Sequence, residues 1–200
     1  SDTRAIFVTH VLGINALSDR LLKLCVDNDI LLIEDVCESH GATYNNVKLG
    51  SIGFASNFSF YFAHHMSTIE GGMISTNDDH FYQLCRSLRS HGMVREFTDD
   101  NLIKKYVEDY SNLNQDFIFI GPAHNFRSTE INAVLGLCQL ERLDSNNEKR
   151  IENFKYFVDK LDSKKYHTDF EMGGQCNYAF TVIMKDAYSD FDLRDRIEKM

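Results

Sequence analysis

The stretch AIFVTHVLGINALSDRLLKLCVDNDILLIED, from Ala5 to Asp35, decides the fold class. Ala5 to Thr9 is a short apolar run rich in β-branched residues, which fits a buried strand. Leu17, Leu21, Leu22, Leu24 and Cys25 then recur on one face at helical spacing. Ile30 to Ile33 is a second apolar run, ending on the carboxylates Glu34 and Asp35. Strand, helix and strand in close succession predict a βαβ unit whose two strands are parallel. The fold class is therefore α/β.

Working outward, Asn57–Tyr61 and Gly72–Thr76 read as strands. Phe81, Leu84, Cys85 and Leu88 mark a helix with Asn77-Asp78-Asp79 as its cap region. Residues 95–116 are polar and read as irregular, and Pro122, the single proline, marks a loop. Ile131, Val134, Leu135 and Cys138 predict an amphipathic helix with Ser128 as N-cap. A charged helix over Asn146–Leu161 keeps Ile151, Phe154 and Phe157 or Val158 on its apolar side. Tyr178–Met184 reads as a strand and 190–200 as a helix. The change of pattern near residue 145 predicts a border between an α/β unit, 1–145, and a second unit, 146–200. The chain starts on Ser1 and stops at Met200 inside a helical pattern, and so reads as an internal fragment.

Composition narrows the function. A net charge of −9, from 21 Lys+Arg against 30 Asp+Glu, argues against nucleic-acid binding, which depends on clustered basic charge. A phosphorylated small molecule remains open, because a few backbone N–H groups suffice to hold one. No apolar run approaches the roughly 18 residues that cross a bilayer. Cys25, Cys37, Cys85, Cys138 and Cys176 lie far apart with no C-x-x-C pair, as in a reduced, cytoplasmic protein without a cysteine-ligated metal.

Several residues could carry chemistry. Asp35 ends a buried parallel strand, where ligands of open α/β sheets bind, although a carboxylate there could equally cap the next turn. Phe58-Ser59-Phe60-Tyr61-Phe62-Ala63-His64-His65 is an aromatic strand running into paired histidines. Neighbours in an extended segment point to opposite faces, so the two are poorly placed to chelate one ion. A metal hydrolase built from His40, His64, His65 and His91 stays open, without any metal-motif spacing behind it. Ser59 could hold a phosphate oxygen or be an ordinary strand serine. Glu70-Gly71-Gly72 allows close backbone approach or a plain turn. Asn125 and Arg127 precede a helix and could serve as simple capping residues.

Taken together these blocks resemble a known family. Glu34-Asp35 is followed by Glu38-Ser39-His40-Gly41-Ala42 and Gly50-Ser51-Ile52-Gly53. Phe58-Ser59-Phe60, Glu70-Gly71-Gly72, Asn125-x-Arg127 and Gly136-Leu137-Cys138-Gln139-Leu140-Glu141-Arg142-Leu143 come after. The chain is similar in nearly all its length to the DegT/DnrJ/EryC1/StrS sugar aminotransferases. The resemblance implies a pyridoxal-phosphate-dependent transferase fold type I (aspartate aminotransferase-like), here as part of the large domain with the start of a smaller α+β domain. It implies pyridoxal or pyridoxamine phosphate as cofactor, Asp35 on its ring nitrogen and Ser59 on its phosphate. Asn125 would reach that phosphate from the neighbouring subunit of a homodimer. Glu38 stands where most members carry glutamine near the ring hydroxyl, a departure.

His64 is the larger departure. Most members carry, five residues after the serine of Phe-Ser-Phe, the lysine that attaches the cofactor. Here that position is His64, and no lysine occurs between Lys48 and Lys104. A smaller branch shares the replacement, with Ala-His-His or Ser-His-His ahead of Glu-Gly-Gly. Its members are 3-dehydratases of nucleotide-linked 4-keto-6-deoxy sugars, in which histidine is the base. One type of this branch carries a cysteine cluster for an iron–sulfur centre. No cysteine lies between Cys85 and Cys138, so the resemblance points to the iron-free type, which acts on GDP-4-keto-6-deoxymannose and regenerates its cofactor with glutamate. The alternatives are a nucleotide-sugar aminotransferase and a non-catalytic fragment.

Overall fold

The computed structural model describes residues 2–185. Strands β1 (Ala5–Thr9), β2 (Leu31–Asp35), β5 (Ala55–Ser59) and β6 (Gly72–Thr76) form one sheet in the order β1-β2-β5-β6. β1, β2 and β5 are parallel, and β6 returns antiparallel to β5. A short hairpin of β3 (Thr43–Tyr44) and β4 (Val47–Lys48) lies between β2 and β5 in the chain.

Helix α1 (Asp19–Asp27) starts where the Ser18 hydroxyl accepts the Leu21 N–H. It places Leu21, Leu22 and Cys25 toward the inner side chains of β1 and β2, Ile6, Val8 and Leu32. Leu24 points away and is exposed. This one-sided packing revises the reading of β1 as a buried strand. Ile6 and Val8 face the core, while Phe7 is 60% exposed on the other face.

Helix α2 (Asp79–Leu88) is capped by Asp78, as its sequence predicts. Residues 95–116 are not irregular. They contain α3 (Asp100–Asp109), capped by Asp99, whose Leu102, Ile103, Tyr106 and Val107 pack on Val94, Phe97 and Ile118.

The two helices expected on either side of residue 145 are one, α4 (Glu130–Lys160), unbroken by proline and with N-capping from Thr129 rather than Ser128. Tyr178–Met184 forms no strand; Met184 makes only an isolated bridge to Tyr166. Arg150 takes up the Tyr178 carbonyl instead. The helix expected over 190–200 lies outside the described residues.

Candidate active site

Asp35 ends β2 and Ser59 ends β5. These parallel neighbours are in register with Asp35 opposite Asn57, so both residues reach the same C-terminal edge of the sheet. The Asn57 amide donates to Asp35 Oδ1 at 3.0 Å, the Cys37 N–H to the same oxygen at 3.1 Å, and the Thr9 hydroxyl to Oδ2 at 3.4 Å. Burial alone would raise the Asp35 pKa. The bonds from Cys37, Asn57 and Thr9 outweigh it and hold the carboxyl below its usual range. Burial, reinforced by the Asp35 bond and charge, pushes the Cys37 thiol up to about 12, so it remains an S–H donor.

One residue earlier, Glu34 is the most buried charge in the sheet, 0% exposed together with His10. Its Oε1 accepts the N–H groups of Ile52 at 2.9 Å and Gly53 at 2.7 Å. Its Oε2 accepts the Gly50 N–H at 2.8 Å and lies 3.2 Å from His10 Nε2. Because His10 Nδ1 accepts the Ala16 N–H, the ring proton sits on Nε2 and goes to Glu34. Burial opposes the Glu34 charge, but His10 and the three N–H groups prevail and lower its pKa. Glu34 thus fixes the turn at Gly50–Gly53 beneath the strand that presents Asp35.

Beyond Ser59 the chain leaves the sheet and returns at β6. Phe60 closes the base of this excursion, its N–H reaching the Gly71 carbonyl and its own carbonyl taking the Thr68 N–H, both at 2.9 Å. From α4, the Asn132 amide holds the carbonyls of Thr68 and Glu70 at 2.9 and 3.2 Å. Ser59 Oγ accepts the Tyr61 N–H at 3.3 Å, which leaves its own proton available to a ligand.

His64 and His65 lie in a turn rather than an extended segment, with the His64 N–H on the Tyr61 carbonyl. Both rings therefore meet the same partners. Tyr178 sits 5.6 Å from the His64 ring and 5.7 Å from that of His65, and His40 sits 6.1 and 5.9 Å from them. Burial first, then the neighbouring histidines, push the His40 pKa down to about 4; the Ser59 backbone pulls the other way without a well-aligned bond. His65 also falls to about 4, through burial and the charges of Arg150 and His64, against the stabilising bond to the Cys176 carbonyl. His64 is the least buried of the three, and its Nδ1 has no partner among the described residues.

Glu38 accepts the Leu12 N–H at 2.7 Å. That contact secures the turn to which the Cys176 and Tyr178 N–H groups bond, through the carbonyls of Gly13 and Leu12. Asn125 lies on an exposed segment bridged to Ser90, and its side chain makes no hydrogen bond among the described residues. The described residues contain no group of three His, Cys, Asp or Glu side chains placed to hold a metal ion. Sequence reading missed Glu34, Asn57 and Tyr178. Glu34 directly follows the apolar run Ile30–Ile33, a position that did not set it apart from any other carboxylate at a strand end. Tyr178 carried no signal either.

Residues 1–199 match the model of the DegT/DnrJ/EryC1/StrS aminotransferase family. GDP-4-keto-6-deoxy-D-mannose 3-dehydratase of Escherichia coli is 34% identical over 184 residues, 92% of this chain and 47% of that protein. GDP-perosamine synthase of Caulobacter vibrioides is 36% identical over 159 residues, 80% of this chain and 38% of that one. A solved structure of the E. coli dehydratase with bound hydrated PLP has a TM-score of 0.85 at 30% identity, covering 100% of this chain and 52% of its own. The chain spans about half the length of the curated dehydratases it matches, 47% in each case.

Proposed function

The chain belongs to the DegT/DnrJ/EryC1/StrS aminotransferase family, and from that premise we propose that it acts in a 3-dehydratase of a nucleotide-linked 4-keto-6-deoxyhexose, with pyridoxamine phosphate as cofactor and His64 as base. The observation that carries this reading is the loop after Ser59, which offers paired histidines and no lysine.

The residues at the sheet edge fit the cofactor. Asp35 is held ionised, the state that pairs with a protonated ring nitrogen. Ser59 has a free hydroxyl proton for a phosphate oxygen at the end of the next strand. The buried Asn57 Oδ1 has no partner among the described residues and can take a further donor. When bound, the cofactor supplies an amine for the sugar ketone and an electron sink.

The chain's own part is proton handling. His64 accepts a proton and passes it to the departing hydroxyl on carbon 3 of the sugar, a role suited to imidazole. Tyr178 and His40 flank its ring. Burial keeps its neighbours His40 and His65 neutral. Glutamate restores the cofactor amine.

A cytoplasmic homodimer completes this reading. Asn125 reaches across to the partner's cofactor phosphate, and Ile131, Val134 and Leu137, exposed on the first turns of α4, face the second subunit. Residues 1–145 belong to the large domain, and 146–200 comprise the linking part of α4 and the start of the small domain. The likeness to GDP-perosamine synthase favours aminotransfer as the second reading.

Borohydride reduction of the full-length protein loaded with pyridoxal phosphate, read by intact mass, separates the two. Tightly bound cofactor without a covalent adduct is the expected result. A one-to-one adduct on a lysine would overturn the base role of His64 and select the aminotransferase.

A further inference from the structure

A pocket of about 480 Å³, polar on one side and apolar on the other, opens between the middle of α4 and the segment after Cys176, bordered by His65, Lys149, Arg150, Asn177, Tyr178 and Phe180. Its charges are unevenly matched. Lys149 is already paired with Glu152 at 2.9 Å on the surface. Arg150 is half-buried and has no carboxylate partner among the described residues. Its Nη1 donates to the carbonyls of Tyr178 at 3.1 Å and Asn177 at 3.5 Å, which orients the guanidinium and leaves its other N–H groups unpaired among those residues.

Asn177 supplies a second, independent signal. It is 5% exposed, yet its Nδ2 has no hydrogen-bond partner among the described residues. Buried amide donors are almost always paired, so an orphan on a pocket wall points to an acceptor from outside. His65 adds an orphan of the opposite kind. Its Nε2 faces the Cys176 carbonyl at 3.3 Å and so carries the proton, and its buried Nδ1 is a lone pair without a donor. Arg150 helps to keep that ring neutral.

We infer that this pocket binds the oxyanion of a small molecule, a carboxylate or a phosphate, between the Arg150 guanidinium and the Asn177 amide, with His65 Nδ1 accepting an O–H or N–H of the same ligand. A planar guanidinium beside an amide donor matches two oxygens of one anionic group. The pocket shares Tyr178 with the His64 ring, so its ligand lies next to the candidate base. This goes beyond the dehydratase reading and does not depend on it.

The test is calorimetric titration of the full-length protein with sodium phosphate and with sodium glutamate at fixed ionic strength, with chloride as the blank. Saturable one-to-one binding is expected. Binding of phosphate alone assigns the site to a phosphorylated ligand, binding of glutamate alone to a carboxylate, and binding of both to either oxyanion. Ser59→Ala should retain this binding, which separates it from an anion held where the cofactor phosphate would sit. Asn177→Asp keeps the shape and tolerates the backbone φ of 48°, but replaces the donor with a like charge, and should weaken binding at least tenfold. Arg150→Lys keeps the charge and loses the fork, and should weaken it at least fivefold if the first variant does not fold. No saturable binding of either anion, unchanged affinity in a folded Asn177→Asp or Arg150→Lys protein, or loss in Ser59→Ala would overturn the inference.

Discussion

Replacing Glu34 by Gln tests whether the buried carboxylate organises the sheet edge. The substitution conserves size, so packing is little disturbed. Glu34 accepts four hydrogen bonds, two on each oxygen. In Gln one of these oxygens becomes an NH₂ group that faces two donors. If it replaces Oε1, the Ile52 and Gly53 N–H groups lose their acceptor; if Oε2, Gly50 and His10 do. His10 cannot rescue the second case by moving its proton, because Nδ1 would then confront the Ala16 N–H. Either way two buried donors are left without partners, at about 1–3 kcal/mol each, so the loss is about 2–6 kcal/mol. Against a total stability of about 5–15 kcal/mol this is a large fraction.

Urea unfolding at neutral pH, compared with wild type, measures it. The acid limb gives an independent check. The folded Glu34 pKa lies below its ordinary value of 4.5, so the stabilisation is fully present above 4.5 and is lost as pH falls through the folded value. Gln does not titrate, so the gap between the two proteins should narrow toward low pH. A variant within about 1 kcal/mol of wild type, or a gap that does not narrow in acid, would refute this account.

Two further outcomes are expected. His64→Asn should lower dehydration at least about 100-fold, the lower end for a general base, while cofactor binding followed by absorbance stays near wild type; parallel loss of both would count against a base role. Gly13→Ala should destabilise the protein by about 1–3 kcal/mol in thermal or urea unfolding. Gly13 has a φ of +81°, and an added Cβ would lie 2.7 Å from the backbone nitrogens of Asn177 and Tyr178. A stability unchanged within error would mean that the segment after Cys176 is not clamped there.

Much of this was legible in the residue order. The periodicity between Ala5 and Asp35 specified a parallel βαβ unit because strand and helix spacing are local properties. The Asp78 cap was equally local. So was α3, whose Leu102, Ile103, Tyr106 and Val107 spacing was present in a segment read as irregular because of its polar content. The spacing of separate blocks placed Asp35, Ser59 and His64 as candidates and pointed to the family.

Other features were decided only by the folded chain. Glu34 reads as one more strand residue until His10 and the Gly50–Gly53 turn close around it. Tyr178 reads as part of a strand until Arg150 captures its carbonyl and the Gly13 turn fixes its N–H, setting its ring against His64. His64 and His65 read as pointing apart until the turn brings both against Tyr178 and His40. Periodicity and capping depend on neighbours within a few residues, so the sequence alone determined the βαβ unit and the helix capped by Asp78. Burial of a charge, the pKa of a histidine and the orphan amide of Asn177 depend on atoms far apart along the chain, and only the tertiary structure could bring those together.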